Sequence, residues 1–139
     1  MTKEKLSKKI ADALMYYVND TDKRCIEGTL CKYSGKSLGI RTKGCLIGQF
    51  LTQKDRYRAD EVGAEDVHNL IEIAGTEGIN LPNFVYNNPS LMSSLQAIHD
   101  NSDNWDLKKK HGLSRDGKAR IRNIIIREGF NEEHFKQML

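Results

Sequence analysis

Most of this chain spaces its apolar side chains at the i, i+3 or i+4, i+7 repeat of a helix buried along one stripe, and that pattern leaves few folds open. Leu6, Ile10, Ala13, Leu14, Tyr17 and Val18 form such a stripe, with Lys5, Lys8, Lys9 and Asp12 mostly off it. They predict a helix from Lys3 to about Asn19, stopped by Asn19-Asp20. Val67, Leu70, Ile71 and Ala74 predict another, ending at Gly75 as the residue that follows the C-cap. Asn88-Pro89 reads as an N-cap with proline at the first helical position, opening a helix with Leu91, Leu95 and Ile98. Ser114 can cap a helix carrying Ile121, Ile124 and Ile125 and stopped at Gly129, and Asn131 a last short one with Phe135 and Leu139.

Between Leu30 and Cys45 the texture changes. Gly28, Gly35, Gly39 and Gly44 interrupt short stretches, and two strands, Leu30–Tyr33 and Leu38–Thr42, joined through Ser34–Ser37 are the economical reading. Cys45–Leu51 then reads as a buried short helix or strand. The expected fold class is α+β: a mostly helical single domain over residues 1–139 with one small β-hairpin. A chain of this length buries about two thirds of its unfolded surface and needs no disulfides.

The first residues mix both charge signs and hold no apolar run of signal-peptide length, and no stretch approaches the ~20 apolar residues of a membrane span. Three cysteines, an odd number, fit a reducing cytoplasm better than a disulfide framework. Cys25, Cys31 and Cys45 lack the short knuckle of a structural zinc site and read as core thiols, so no metal or cofactor is expected.

Two basic segments are the candidate sites. In the first, Lys36, Arg41 and Lys43 lie among glycines whose turns can cradle an anion, which suits a phosphate or a nucleotide. Gly35-Lys36-Ser37 resembles the end of a P-loop, but that motif needs glycine where Leu30 stands. In the second, residues 108–127 hold eight basic residues against the single acid Asp116, whereas the first 107 residues hold 13 basic and 15 acidic groups. On the Ser114 helix, Arg115, Lys118 and Arg122 share one side, with Arg120 and Arg127 on the other. Such a face suits an acidic macromolecule or nucleic-acid phosphates, although no zinc finger, recognition helix or stacking pair accompanies it. The run from His99 to Asp106 puts Trp105 where a calcium loop needs glycine, and reads as a capped connection with Trp105 in the core. His99 beside an aspartate reads as a structural hydrogen bond. With no nucleophile or metal set to point to, no enzyme activity is expected.

Leu30-Cys31-Lys32-Tyr33, then Gly44-Cys45-Leu46-Ile47-Gly48, resembles segments of a group of small bacteriophage accessory proteins. Leu95-Gln96-Ala97-Ile98-His99-Asp100, Trp105 and Gly112-Leu113-Ser114-Arg115-Asp116-Gly117-Lys118 are similar to downstream pieces of that group, whose turn between the two cysteines is shorter. The resemblance implies a phage accessory gene product in the host cell cytoplasm, brings no catalytic residues, and favours scaffold roles for His99, Asp100 and Lys118. The expected function is a non-catalytic binding protein that inhibits or redirects a host macromolecule, defence components included. The alternatives are sequestration of a nucleotide or cyclic nucleotide at the Lys36–Lys43 hairpin and nucleic-acid binding by the basic helix.

Overall fold

Side-chain caps start several of the helices. Thr2 Oγ1 accepts from Lys5 N at 3.2 Å, Thr52 Oγ1 from Asp55 N at 3.2 Å, and Asp66 Oδ1 from Asn69 N at 2.8 Å. Each satisfies an amide that the helix itself leaves without an acceptor. The computed structural model describes residues 1–24, 26–27, 30–31, 33 and 44–139. Its α-helices are α1 (Lys3–Asn19), α2 (Gln53–Glu61), α3 (Val67–Ala74), α4 (Asn83–Tyr86), α5 (Pro89–Asp100) and α6 (Arg115–Glu128). Short 3-10 turns occupy Thr21–Arg24, Ile47–Phe50, Ser102–Asn104 and Glu132–Phe135.

The chain folds into two compact units, one formed by Met1–Lys23 together with Asn101–Leu139, the other by Arg24–Asp100. In the first, α1 buries Ile10, Leu14, Tyr17 and Val18, and Tyr17 meets Trp105 edge to face at 6.2 Å between ring centroids. Trp105 is 3% exposed, as the reading of the His99–Asp106 connection expected. α6 buries Ile121, Ile124 and Ile125 and ends at Gly129, whose left-handed φ of 65° suits glycine. After Asn131 caps the last turn, Phe135 and Met138 are buried, Met138 taking the place expected of Leu139.

In the second unit α3 and α4 pack on α5. Phe50 meets Phe84 edge to face at 5.0 Å, and Cys45, Leu46, Ile47 and Leu51 are buried as expected of that segment. Gly75 is not left-handed: its φ and ψ are −64° and −41°, and the reversal waits for Gly78 at φ 70°. Glu77 N bonds Ile73 O and Ile79 N bonds Ala74 O, so the chain winds on before it turns.

The α+β expectation is corrected. The fold is mostly helical, and the strand pairing among the described residues is a two-residue antiparallel ladder of β1 (Ile26–Glu27) and β2 (Leu30–Cys31), plus a lone Trp105–Leu113 bridge. Leu30–Cys31 therefore pairs with residues before it, while the expected second strand, residues 38–42, lies outside the described residues. A ladder of two residue pairs cannot act as a layer; the helical stripes carry the core.

Candidate interaction surface

The basic C-terminal segment divides into a pinned loop and a helix. Trp105 and Leu113 bridge, and Asp106 N bonds Gly112 O at 3.0 Å, closing a loop that carries Lys108, Lys109 and Lys110. Gly112 N bonds Val18 O at 2.7 Å and Thr21 N bonds Lys110 O at 3.1 Å, tying this loop to the end of α1. The last turn of α1 has no basic residue of its own, so the loop brings amide and positive charge to the negative end of that helix. Lys110 adopts φ 61°, a conformation disfavoured for any residue with a Cβ. Two loop lysines face carboxylates at 3.9 Å: Lys109 opposite Asp106 and Lys110 opposite Asp22. Their positive charge is thus partly spent on the fold.

α6 begins where the loop ends. Ser114 N bonds Asn104 O at 3.0 Å and Ser114 Oγ accepts from Gly117 N at 3.1 Å while donating to Asp103 O. The first turn of the helix lies so close to the Ser102–Asn104 turn that a Cβ on Gly117 would overlap the Asn104 carbonyl oxygen and come within 2.9 Å of its carbon. Helix and turn are thereby locked together.

The structure places the predicted contact residues on the solvent side of α6: Arg115 and Arg122 are exposed and Lys118 is half-buried. Arg115, Lys118, Arg120 and Arg122 have no ion-pair partner among the described residues, whereas Arg127 pairs with its neighbour Glu128 at 3.2 Å. The outer surface of α6 also carries Ile126, 79% exposed, which apolar periodicity did not single out. Its signal was an apolar residue eleven positions after Arg115, on the polar side of the helix.

Lys36, Arg41 and Lys43, the expected phosphate ligands, lie outside the described residues, as does Cys25; Cys31 is described through its backbone alone. Cys45 is a buried free thiol. No three His, Cys, Asp or Glu side chains converge among the described residues.

Of two polar clusters, sequence reasoning missed one whole and expected a single bond of the other. His134 Nδ1 lies 2.8 Å from Ser7 Oγ and its Nε2 lies 3.0 Å from Glu4 Oε1, a serine–histidine–carboxylate relay between α1 and the last turn. Ser7 is 0% exposed, so its hydroxyl meets no substrate. Asn131 Nδ2 donates to the same Glu4 oxygen at 3.2 Å, and the relay ties the chain's last turn to its first helix. In the other unit, His99 Nδ1 and Gln96 Nε2 both donate to Asp100 Oδ1, at 2.7 and 2.6 Å. Gln96 Oε1 accepts from Ile47 N at 3.2 Å, while Arg24 donates to the carbonyls of His99 and Asp100 at 2.8 and 3.1 Å. Burial lowers the pKa of His99 below its ordinary value, against the opposing pull of Asp100, and so disfavours the charged ring. This is the structural hydrogen bond expected of His99, joined to a cap on the carbonyl end of α5.

No family model, curated protein or solved structure matches this chain. No helix among the described residues is long and apolar enough to cross a membrane.

Proposed function

We propose that this chain is a non-catalytic binding protein that docks on an acidic macromolecule through the outer face of α6. One observation carries the reading: Arg115, Lys118, Arg120 and Arg122 have no ion-pair partner among the described residues, on a helix whose opposite face is anchored in the core. Such a surface raises the rate of encounter with a negatively charged partner and makes binding fall with salt. In the setting that the resemblance to phage accessory proteins implies, docking inhibits or redirects a host component. Arg115→Glu, Lys118→Glu and Arg122→Glu combined should abolish capture of the partner from host lysate while leaving the circular dichroism spectrum unchanged. Capture by the triple variant equal to the parent's removes the basic face from the mechanism. Retardation of DNA or RNA that fades steeply with salt identifies nucleic acid as the partner instead.

A further inference from the structure

The outer face of α6 is not purely basic. Arg115, Ala119, Arg122 and Ile126 follow one another at i, i+4, i+7 and i+11, and all are exposed. They form one edge about 16 Å long. Ile124 and Ile125 are 4% and 7% exposed, so the helix has placed the isoleucines it needs; Ile126 stands outside that core at 79%. Single exposed apolar residues are common; the position of this one, in line with two arginines that have no ion-pair partner among the described residues, gives it meaning. A phosphate backbone offers nothing to an isoleucine that is 79% exposed. A second copy of the chain would set the same cations against one another. A protein surface that offers carboxylates beside an apolar recess satisfies the whole edge, with the charges setting the encounter rate and the buried apolar contact the residence time.

We infer that the Arg115–Ile126 edge of α6 docks an acidic protein segment whose carboxylates meet Arg115 and Arg122 and whose apolar side chains enclose Ile126. This rests on the basic-face reading and names its partner as protein.

The test uses the full chain and three fluorescent probes: a synthetic peptide of alternating glutamate and leucine turns, a polyglutamate with the same number of carboxylates, and a short DNA duplex. Anisotropy should show the Glu/Leu peptide binding at least tenfold tighter than polyglutamate. Ile126→Ser, a surface change that leaves the helix intact by circular dichroism, should reduce it to the polyglutamate level without altering polyglutamate binding. Arg115→Glu with Arg122→Glu should weaken both peptides. Equal affinity for the two peptides, or no effect of Ile126→Ser, overturns the inference and leaves the basic face standing. Peptide binding that charge reversal does not change overturns the basic face as well. DNA binding tighter than either peptide overturns the protein partner in favour of nucleic acid.

Discussion

Gly117 and Gly75 both have helical backbone dihedrals, or sit inside a helix, and alanine at the two positions should act in opposite directions. In an open helical site alanine stabilises by about 0.5–1 kcal/mol, because glycine loses more backbone freedom on folding. Gly75 is such a site: its φ is −64° and nothing lies within 4 Å of an added Cβ. At Gly117 the same Cβ would sit on the Asn104 carbonyl, a backbone group rather than a side chain able to swing away. Asn104 is held by its own N–H to Asn101 O at 3.1 Å and by Ser114 N at 3.0 Å, so relief means prising the turn from the helix. Overpacking costs about 1–3 kcal/mol. Losing the Ser114–Asn104 bond adds about 1 kcal/mol, and disturbing the Ser114 cap about another. Against a propensity gain of up to about 1 kcal/mol, Gly117→Ala should destabilise by about 2–4 kcal/mol, a fall in Tm of roughly 6–14 °C. Thermal melts by far-UV circular dichroism, with urea unfolding followed through the lone Trp105 beside Asn104, measure both variants. A Gly117→Ala protein as stable as the parent would refute the close approach of α6 to this turn.

Stability should fall as pH drops below about 6.5, because burial makes the folded ring take up its proton less readily than the unfolded chain does. Urea midpoints across this range should flatten in His99→Gln relative to the parent, whatever that variant's absolute stability. Arg24→Met leaves the carbonyls of His99 and Asp100 without their donor and should cost about 2–4 kcal/mol, read as a lowered urea midpoint. Lys110→Gly relieves a left-handed residue whose ion pair is 3.9 Å long and exposed, and should raise stability by about 1 kcal/mol; a fall in Tm would mean that the pairing with Asp22 outweighs the strain.

α1 and α6 were legible because each couples an unbroken apolar stripe to a side-chain cap, and α6 also to a stop glycine. α2 was not, since the residues it buries are Asp55 and Ala59, and a buried carboxylate leaves no mark in an apolar period. Asp55 is held by Thr52 Oγ1 at 2.8 Å, the local partner of a capping box, and by Asn80 N at 3.3 Å, a partner that the spacing of its own helix does not announce. The glycines from 28 to 44 suggested a hairpin because turn residues signal reversals without saying which strands they join. Within residues 108–127 charge alone ranked the eight cations together; geometry separates Lys109 and Lys110, set against carboxylates, from Arg115, Lys118, Arg120 and Arg122, which have no ion pair among the described residues. Gly117 looked like an ordinary helix glycine until the neighbouring carbonyl was located. The Ser7–His134 contact spans 127 positions, beyond any local pattern.

Arg24 and Asp100 are the first and last residues of the second unit, and the Arg24 guanidinium reaches the Asp100 carbonyl at 3.1 Å. That bond closes residues 24–100 into an insertion whose ends are stapled side by side, and both of its partners exist as soon as Asp100 is made. α1 has no such option. Its partners in Trp105, Val18's donor Gly112 and Ser7's neighbour His134 are all made later. At about 5–20 residues per second, Ser7 waits on the order of 6–25 s for His134. Through that interval Ile10, Leu14 and Tyr17 lack these companions, so the apolar stripe of α1 is made long before the groups that cover it.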